Sequence, residues 1–278
     1  MKFQPVVKWS GSKRSQSEDI INRIKDKEYD IYYEPFCGGC SVLFQLLHSN
    51  KKFKKYVCSD KNNDLISLWN LIKDNPIKII EEYTKMWNEL NVDDDKERKK
   101  QYFNMVRERF NKDKNPCDFM FIMRTTTNGM PRYNKNGEFN NSFHVTRDGI
   151  KPETLSKIIK EWSNVLNKFN VQFINMDYKE IQATENDFLY LDPPYANTKG
   201  MYYGAINYSD LWNWMRKQPC DYMLSFDGKT SSIDITYNVP TDIFHEHEYL
   251  YSGNSSFRRV IGKSNKEYVS ESLYIHHV

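Results

Sequence analysis

The sequence predicts an α/β fold, and three observations carry that prediction. Phe188–Leu191 is a continuous apolar and aromatic run, which is typical of a strand buried on both faces of a sheet. Two earlier β-rich runs, at residues 31–33 and 55–59, are also followed by an acidic residue and then by a segment of helical character. The chain has 278 residues, enough for one large α/β domain or for one such domain with an insertion.

The amino-acid composition limits the class of protein but does not identify a binding partner. There are 40 Lys and Arg residues against 37 Asp and Glu residues, a net charge of +3, which permits binding to nucleic acid but does not require it. The five cysteines are an odd number, and the chain shows no secretory leader. No run approaches the roughly 18 consecutive apolar residues of a membrane span. We therefore expect a reduced, soluble, intracellular protein.

The first predicted element is a short strand, a turn and a helix. The apolar start at Val6 and Val7 leads into a glycine turn that is flanked by Lys8, Trp9 and Lys13. A helix with acidic residues in its first turn is expected to follow. By itself this pattern is common to many α/β proteins.

The second element is a strand that continues into a glycine turn. Glu34, Pro35 and Phe36 precede Gly38 and Gly39, and a helix is expected after the turn. Consecutive glycines let the backbone approach a ligand closely. The spacing does not match the dinucleotide pattern, and no phosphate-loop lysine follows, so phosphate binding is not implied.

Two cysteines border this glycine pair. The spacing of Cys37 and Cys40 also suits redox exchange or zinc, but no second pair is present to complete a zinc site. The six histidines show no metal spacing joined to carboxylates. A cofactor turn is therefore the preferred interpretation, and no metal site is predicted.

Acidic residues follow two further strands. Asp60 follows the run at residues 55–59, where a carboxylate commonly accepts the hydroxyl groups of a ribose. Asp177 follows a strand predicted from residue 171, after an amphipathic helix at residues 153–169. Both carboxylates would lie at the carboxyl ends of strands, where ligands bind in open α/β sheets.

From about residue 77 to residue 167 the sequence changes character. Helical apolar spacing is interrupted by a charged run at residues 93–100, typical of a solvated face. A turn-rich segment follows, in which Asn136-Gly137 predicts a hairpin. The hairpin carries donors that suit base edges, namely Arg132, Asn134, Lys135, Asn140 and Asn141. An exposed polar hairpin with no partner is the alternative interpretation.

The loop at residues 192–195 is the most informative stretch. Pro193 and Pro194 follow Asp192 directly, and because proline has no N–H to donate, the chain leaves the sheet in a stiff loop. The Asp192 carboxylate and a proline carbonyl can accept both hydrogens of a flat amino group, while Tyr195 stacks on the ring that bears it. This turns the nitrogen lone pair toward an electrophile. A proline-stiffened turn without chemistry is the alternative.

The last part of the chain predicts a helix at residues 208–217 and strands at residues 222–226 and 271–276. Arg258 and Arg259 lie in a polar loop before the final strand. Cations of this kind are expected to contact phosphate without reading sequence.

Taken together, these motifs resemble those of the Dam-type DNA adenine methyltransferases. The motifs, in chain order, are Lys8-Trp9-Ser10-Gly11-Ser12-Lys13, Glu34-Pro35-Phe36-Cys37-Gly38-Gly39, Asp60 with Asn63, Asp177, and Asp192-Pro193-Pro194-Tyr195. Their order matches the alpha arrangement of that family. The resemblance implies S-adenosylmethionine (SAM) as methyl donor and a Rossmann-like, mostly parallel sheet with an inserted helical and β-hairpin target-recognition domain. It places the catalytic core at residues 1–70 and 168–278 and the recognition insertion at residues 71–167.

The resemblance also implies roles for individual residues. Trp9 and Lys13 are expected near SAM, residues 34–39 around its methionine part, Asp60 on its ribose and Asp177 on its adenine. Asp192 would meet both SAM and the target base. The residues expected at DNA are Lys8, Asn128, Arg132, Asn134, Asn141, Arg147, Arg258 and Arg259.

The implied reaction is methylation of the exocyclic amino group of adenine, with the base flipped out of duplex DNA. The nearest rival is a cytosine amino-methyltransferase, and a rival of a different class is a DNA-binding module without catalysis. The family commonly acts on GATC, but residues 141–147 depart from its usual Val-Pro-Phe-Gly continuation, so the sequence does not assign the site. We expect a cytoplasmic monomer acting on double-stranded DNA, alone or beside a restriction enzyme.

Overall fold

The structure is a computed structural model that describes residues 4–146, 148–195, 206–230, 233–254 and 268–278. Within these residues the strands are β1 Glu28–Glu34, β2 Lys52–Asp60, β3 Gln172–Asn175, β4 Phe188–Leu191, β5 Asp221–Thr230, β6 Glu246–Asn254 and β7 Tyr268–His276. The helices are α1 Ser17–Asn22, α2 Ser41–Leu47, α3 Asn63–Asp74, α4 Pro76–Leu90, α5 Lys96–Asp113, α6 Pro116–Thr125, α7 Pro152–Lys168 and α8 Tyr208–Met215. The strands form one sheet in the order β3-β2-β1-β4-β5-β7-β6, which confirms the predicted α/β class.

The centre of the sheet is parallel. β1 pairs in parallel with β2 and with β4, and β4 pairs in parallel with β5. All four residues of β4 are buried, as predicted for a strand covered on both faces. The ring of Phe188 stacks on that of Tyr32 at 6.3 Å between centroids. Because parallel strands end at the same edge, β1 and β4 direct the residues that follow them toward one side of the sheet.

The other end of the sheet is antiparallel. β7 pairs with both β5 and β6 in this sense, and β5 bulges between Phe226 and Lys229. A Cβ atom on Gly228 would lie 2.1 Å from the carbonyl oxygen of Ser270. Only glycine therefore allows the two strands to approach so closely at the bulge.

The described chain packs as two compact units. The first contains residues 4–12, 60–146 and 148–175, and the second contains residues 13–59 and the described residues from 176 onward. These units are defined by packing alone. The predicted division into a catalytic core and a recognition insertion concerns function, and it stays a prediction.

In the first unit, helices α3 to α7 pack around buried aromatic rings. Trp69 lies 4.9 Å from Trp162 and stacks on Phe173 at 5.3 Å between ring centroids. The described residues 4–12 contain no strand, so the short strand predicted at Val6 and Val7 is wrong. Their backbone is held by helical side chains instead: Trp162 Nε1 donates to the Gln4 carbonyl at 2.9 Å, and Arg124 donates to two carbonyls that follow. In the described part of the chain, no helix is long and apolar enough to cross a membrane.

Candidate active site and candidate DNA-reading hairpin

The loop after β4 presents the carboxylate of Asp192. β4 ends at Leu191, just before two prolines that cannot donate to a ladder. The Pro194 carbonyl accepts a hydrogen bond from the Tyr208 hydroxyl at 2.9 Å, which fixes the far end of the loop. The Asp192 side chain retains 19% of its surface exposed. The carboxylate is therefore held at the carboxyl end of a buried strand.

The ammonium group of Lys13 lies between two carboxylates. Lys13 Nζ is 2.7 Å from Asp192 Oδ1 and 3.3 Å from Glu271 Oε2. The Lys13 side chain is almost fully buried, and the backbone N–H of this residue donates to Ser41 Oγ at 3.0 Å. Because a buried ammonium group needs fixed anionic partners, Lys13 connects Asp192 to Glu271.

Tyr195 completes this group of side chains. Its hydroxyl donates to Glu271 Oε2 at 2.8 Å, and its ring lies edge-on against Phe226 at 5.5 Å between centroids. Lys13 Nζ lies 4.8 Å from the centroid of the Tyr195 ring, within cation–π range. We call Lys13, Asp192, Tyr195 and Glu271 the carboxylate–lysine cluster.

The charge of Asp192 depends on this cluster. Burial raises the pKa of Asp192 to about 6, although the charge and hydrogen bond of Lys13 act to lower it. The negative charge of Glu271 raises the same pKa, and the Tyr195 hydroxyl lowers it. At pH 7 about nine-tenths of Asp192 is therefore ionised. Lys13 keeps a poorly solvated carboxylate in its charged form.

The turn after β1 lies in the same unit as the cluster. Glu34 is buried and accepts a hydrogen bond from the Tyr32 hydroxyl at 2.7 Å. Burial raises the pKa of Glu34 to about 8, while the hydrogen bond from Tyr32 lowers it. The Cys37 N–H donates to the Ser59 carbonyl at 3.1 Å, and Gly38 has a φ of +45°, in the region that favours glycine.

The two cysteines of this turn are buried, and neither forms a disulfide. Burial raises the pKa of the Cys40 thiol. Redox exchange and metal binding both need the thiolate, which this environment disfavours. Burial of the Cys40 thiol thus weighs against redox or metal chemistry, and the role of this segment as a cofactor turn stays a prediction.

Comparison with known proteins assigns the family. Residues 9–259 match the family model described as D12 class N6 adenine-specific DNA methyltransferase. The chain belongs to this family. It is 33% identical over 213 residues to the Type II methyltransferase M.MjaIII of Methanocaldococcus jannaschii, with 70% of each chain covered. It is 32% identical over 201 residues to the DNA adenine methylase of Escherichia coli K12, covering 70% of this chain and 66% of that one. It is 28% identical over 204 residues to the DNA adenine methylase of Haemophilus influenzae, covering 70% of this chain and 65% of the relative.

Family membership implies SAM as the cofactor of this methyltransferase, and the residues present fit it. In the carboxylate–lysine cluster, Asp192 and Glu271 contribute two negative charges against the single positive charge of Lys13. SAM carries a sulfonium and an ammonium group, and a cluster with a net negative charge attracts such cations.

The remaining predicted cofactor residues are distributed over both units. In the second unit, Pro35 and Gly39 are buried in the turn after β1, and Phe36 packs on Tyr178 at 5.4 Å between ring centroids. Asp177, also in the second unit, caps a short helical turn by accepting the Lys179 N–H at 3.0 Å. Trp9 and Asp60 belong to the first unit. Asp60 ends β2, and its Oδ1 accepts the Asn62 N–H at 2.9 Å. Contacts of these residues with SAM stay predictions.

The segment predicted to read DNA forms a hairpin in the first unit of the methyltransferase. Tyr133 and Phe139 form an antiparallel bridge, and the Asn134 N–H donates to the Glu138 carbonyl at 2.9 Å. Gly137 has a φ of +75° and donates its N–H back to the Asn134 carbonyl at 3.0 Å. This is a three-residue loop, residues 135–137, that ends in a glycine of positive φ, as three-residue hairpin loops commonly do.

The hairpin is anchored on one side. The buried ring of Phe139 packs against Phe110 at 6.3 Å between centroids. Asn111 of α5 accepts the Phe139 N–H at 2.7 Å and donates to the Phe139 carbonyl at 3.0 Å. The Tyr133 hydroxyl donates to Asp64 at 2.8 Å, at the start of α3. These contacts fix the hairpin on helices of its own unit.

The predicted DNA-contacting residues of the hairpin segment differ in their surroundings. Arg132 and Asn128 are exposed, and no described residue forms a hydrogen bond or ion pair with the Arg132 guanidinium. Asn134 accepts two backbone N–H groups of the turn, at 2.9 and 3.0 Å. Asn141 is buried and donates to two backbone carbonyls at 3.0 Å. The two asparagines thus shape the segment, and their contacts with bases stay predictions.

Lys8 is half-buried and lies against Gly129. A Cβ atom on Gly129, where φ is +62°, would lie 2.7 Å from Lys8 Cγ, so glycine is needed there. The predictions for Arg147, Arg258 and Arg259 fall outside the described residues.

Glu271 and Tyr208 are site residues that the sequence did not reveal. The sequence predicted a strand that begins at Glu271 and a helix that begins at Tyr208, with no role for either side chain. The available signal for Glu271 was a single acidic residue just before an apolar run, which is too common to indicate a site. Their partners in the structure, Tyr195 and Pro194, lie 76 and 14 residues away in sequence.

Proposed function

We propose that the chain transfers a methyl group from SAM to the N6 amino group of adenine in a short site of duplex DNA. Membership of an adenine-specific family favours adenine over the cytosine alternative. The observation that carries the proposal is the Asp192 carboxylate, which follows a buried strand and is held by Lys13 at 2.7 Å. A flat amino group needs two fixed acceptors, and a proline-stiffened loop supplies them.

In the proposed mechanism, Asp192 and Pro193 hold the amino group. The carboxylate accepts one hydrogen and the Pro193 carbonyl accepts the other, because the Pro194 carbonyl already accepts from Tyr208. Tyr195 stacks on the adenine ring. With both hydrogens engaged, the nitrogen lone pair turns away from the ring. Bound SAM supplies an electrophilic methyl group on its sulfonium.

The Asp192 carboxylate also accepts the proton that the amino group loses on methylation. Once the nitrogen carries the methyl group, it must lose one hydrogen, and Asp192 already accepts a hydrogen bond from it. A pKa of about 6 allows Asp192 to take this proton and release it to water near neutral pH. Lys13 favours the ionised form before the reaction. Positioning and electrostatics therefore supply most of the acceleration.

For the cofactor, we propose the arrangement that the motifs predict. Residues 34–39 surround the methionine part of SAM, with Trp9 and Lys13 nearby. Asp60 accepts hydrogen bonds from the ribose, and Asp177 contacts the adenine of the cofactor. The net negative charge of the carboxylate–lysine cluster supports this assignment, because SAM is cationic.

For DNA, we propose that residues 71–167 read the target while residues 1–70 and 168–278 perform the chemistry. The exposed Arg132 supports this role, since an arginine fork matches the two acceptors of guanine in the major groove. Asn128, Asn134, Asn141 and Arg147 belong to the same interface, and Lys8, Arg258 and Arg259 contact phosphate. The target base is flipped into the pocket at a cost of a few kcal/mol. Because one chain carries both the cluster and the hairpin, we propose a monomer that acts on DNA in the cytoplasm.

Substitution of Asp192 tests the proposal. Asp192→Ala should abolish methyl transfer while DNA binding and the unfolding temperature stay near those of the wild type, since Glu271 remains as an anionic partner of the buried Lys13. Asp210→Asn is a matched control, because Asp210 also pairs with a lysine, at 2.6 Å, but on the surface. Digestion of the DNA and mass spectrometry of its nucleosides identify the methylated base. Methylation by Asp192→Ala above a few per cent of the wild-type rate, or a methylated cytosine, would contradict the proposal.

A further inference from the structure

Glu271 is placed beside Asp192 and Tyr195 by the backbone of two strands. It lies on β7 opposite the bulge of β5, where Asp227 and Gly228 face one residue. A Cβ atom on Gly228 would lie 2.7 Å from Glu271 Cα, so the glycine is required for this approach. Bulges redirect side chains next to active sites. The bulge therefore fixes the position of the Glu271 Cα atom, from which the side chain extends.

One oxygen of Glu271 makes both of its contacts in the carboxylate–lysine cluster. Glu271 Oε2 accepts the Tyr195 hydroxyl at 2.8 Å and lies 3.3 Å from Lys13 Nζ. Lys13 in turn lies 2.7 Å from Asp192. Asp192 and Tyr195, the two side chains assigned to the target adenine, are thus linked through Lys13 and Glu271.

We propose that Glu271 is a positioning residue for methyl transfer, which holds the Tyr195 ring and the Lys13 ammonium group so that the Asp192 carboxylate keeps one orientation. This inference rests on the proposed function, in which Asp192 and Tyr195 hold the base. Glu271 itself need not touch the amino group, because its contacting oxygen is engaged with Tyr195 and Lys13.

Glu271 also opposes the effect of Lys13 on the pKa of Asp192. The charged or titratable groups that face Asp192 are Lys13, Glu271, Tyr195, Glu34 and Tyr190. At the backbone, Asp227 in the bulge of β5 lies opposite Glu271. Lys13 lowers the pKa of Asp192, whereas the charge of Glu271 raises it. Glu271→Gln removes this charge and keeps an amide oxygen for the Tyr195 hydroxyl. The acid limb of the pH–rate profile should then move to lower pH by up to about one unit.

The experiment compares Glu271→Gln, Glu271→Ala and Tyr195→Phe with the wild type on duplex DNA between about pH 5 and about pH 9. Glu271→Gln should retain most of the rate at the alkaline end, with the acid limb shifted down. Glu271→Ala and Tyr195→Phe should each lower kcat by about 10- to 100-fold, with little change in the KM for SAM. The double variant should be no slower than the slower single variant, because both changes remove the same contact.

Glu248→Gln is the matched control. Glu248 lies on the adjacent strand β6 and pairs with Arg23 away from the cluster, so this variant should leave the pH profile and kcat unchanged. Thermal unfolding of each variant excludes a simple folding defect. An unshifted acid limb in Glu271→Gln, or multiplicative losses in the double variant, would overturn the inference. Asp192→Ala, assayed alongside, separates the two proposals: if that variant is inactive while the Glu271 variants behave like wild type, only the role of Glu271 fails.

Discussion

Replacing Lys13 by methionine tests how Asp192 is kept charged. Methionine preserves most of the apolar stem, and the backbone N–H of residue 13 can still donate to Ser41. The change removes the ammonium group that lies 2.7 Å from Asp192 and 3.3 Å from Glu271. The main consequence is therefore the loss of one positive charge from the cluster.

The size of the expected pKa shift follows from the distance between Lys13 and Asp192 and from the partial exposure of Asp192. Two unit charges 2.7 Å apart attract by about 6 kcal/mol at an effective dielectric constant of about 20, which is an upper limit for a group that water still reaches. Single opposite charges at such distances lower carboxyl pKa values by about 1–3 units. Without Lys13, the pKa of Asp192 should rise from about 6 to between about 7 and about 9. The ionised fraction at pH 7 then falls from about nine-tenths to between about one half and about one hundredth.

The assay is the initial rate of methyl incorporation into duplex DNA, measured from about pH 5 to about pH 10 at saturating SAM. In the wild type, the rate should fall as the pH drops through about 6, because protonated Asp192 no longer accepts the amino hydrogen. In Lys13→Met this limb should move to higher pH, and most of the rate should return at the alkaline end. The KM for SAM, measured separately, distinguishes the loss of charge on Asp192 from weaker cofactor binding.

Lys179→Met is the control for this substitution. Lys179 pairs with Asp210 at 2.6 Å on the surface, so its loss removes a similar ion pair without touching the cluster. A folded Lys13→Met protein whose acid limb stays at the wild-type position would refute the assigned link between Lys13 and the charge of Asp192.

Three further predictions address the cofactor, the DNA and the fold. Asp60→Ala should weaken SAM binding by about 1–3 kcal/mol in calorimetry, because the ribose hydroxyls lose an acceptor, and unchanged affinity would contradict the ribose assignment. Arg132→Ala should relax the choice of base at one position of a randomised site library, whereas Arg258→Ala, a change at a proposed phosphate contact, should weaken binding to all sequences alike. An unchanged site preference in Arg132→Ala would mean that the hairpin contacts only the DNA backbone. Burial would raise the pKa of Asp221, but a backbone N–H, a lysine and a tyrosine hydroxyl together lower it to about 2. Asp221→Asn should therefore reduce the free energy of unfolding at pH 7 by about 2 kcal/mol, with the difference from wild type disappearing as the pH falls from about 4 to about 2; a difference that persisted at low pH would contradict this assignment.

The amino-acid sequence determined the elements whose signals are local. Phe188–Leu191 is recognisable as a buried strand because every residue in it is apolar or aromatic, and two prolines define where it stops. Asn136 and Gly137 indicate a hairpin because glycine adopts the positive φ of its loop. The first strand was wrongly predicted because burial alone does not require a strand. Val6 and Val7 are buried, but side chains of helices, not a neighbouring strand, hold the backbone of residues 4–6.

Only the tertiary structure decided how the site is held together. Lys13, Asp192 and Glu271 are far apart in the chain, and no local pattern indicates that one ammonium group lies between the two carboxylates. Their meeting depends on the antiparallel placement of β7 beside β5 and on the bulge at Gly228. Likewise, the sequence shows that Asn134 and Asn141 carry amide groups. Only the folded hairpin shows that backbone N–H groups donate to the Asn134 amide oxygen and that backbone carbonyls accept from the Asn141 amide nitrogen. Sequence patterns report backbone preference and burial, but the partner of a polar side chain depends on which distant strands and turns are brought within hydrogen-bonding distance.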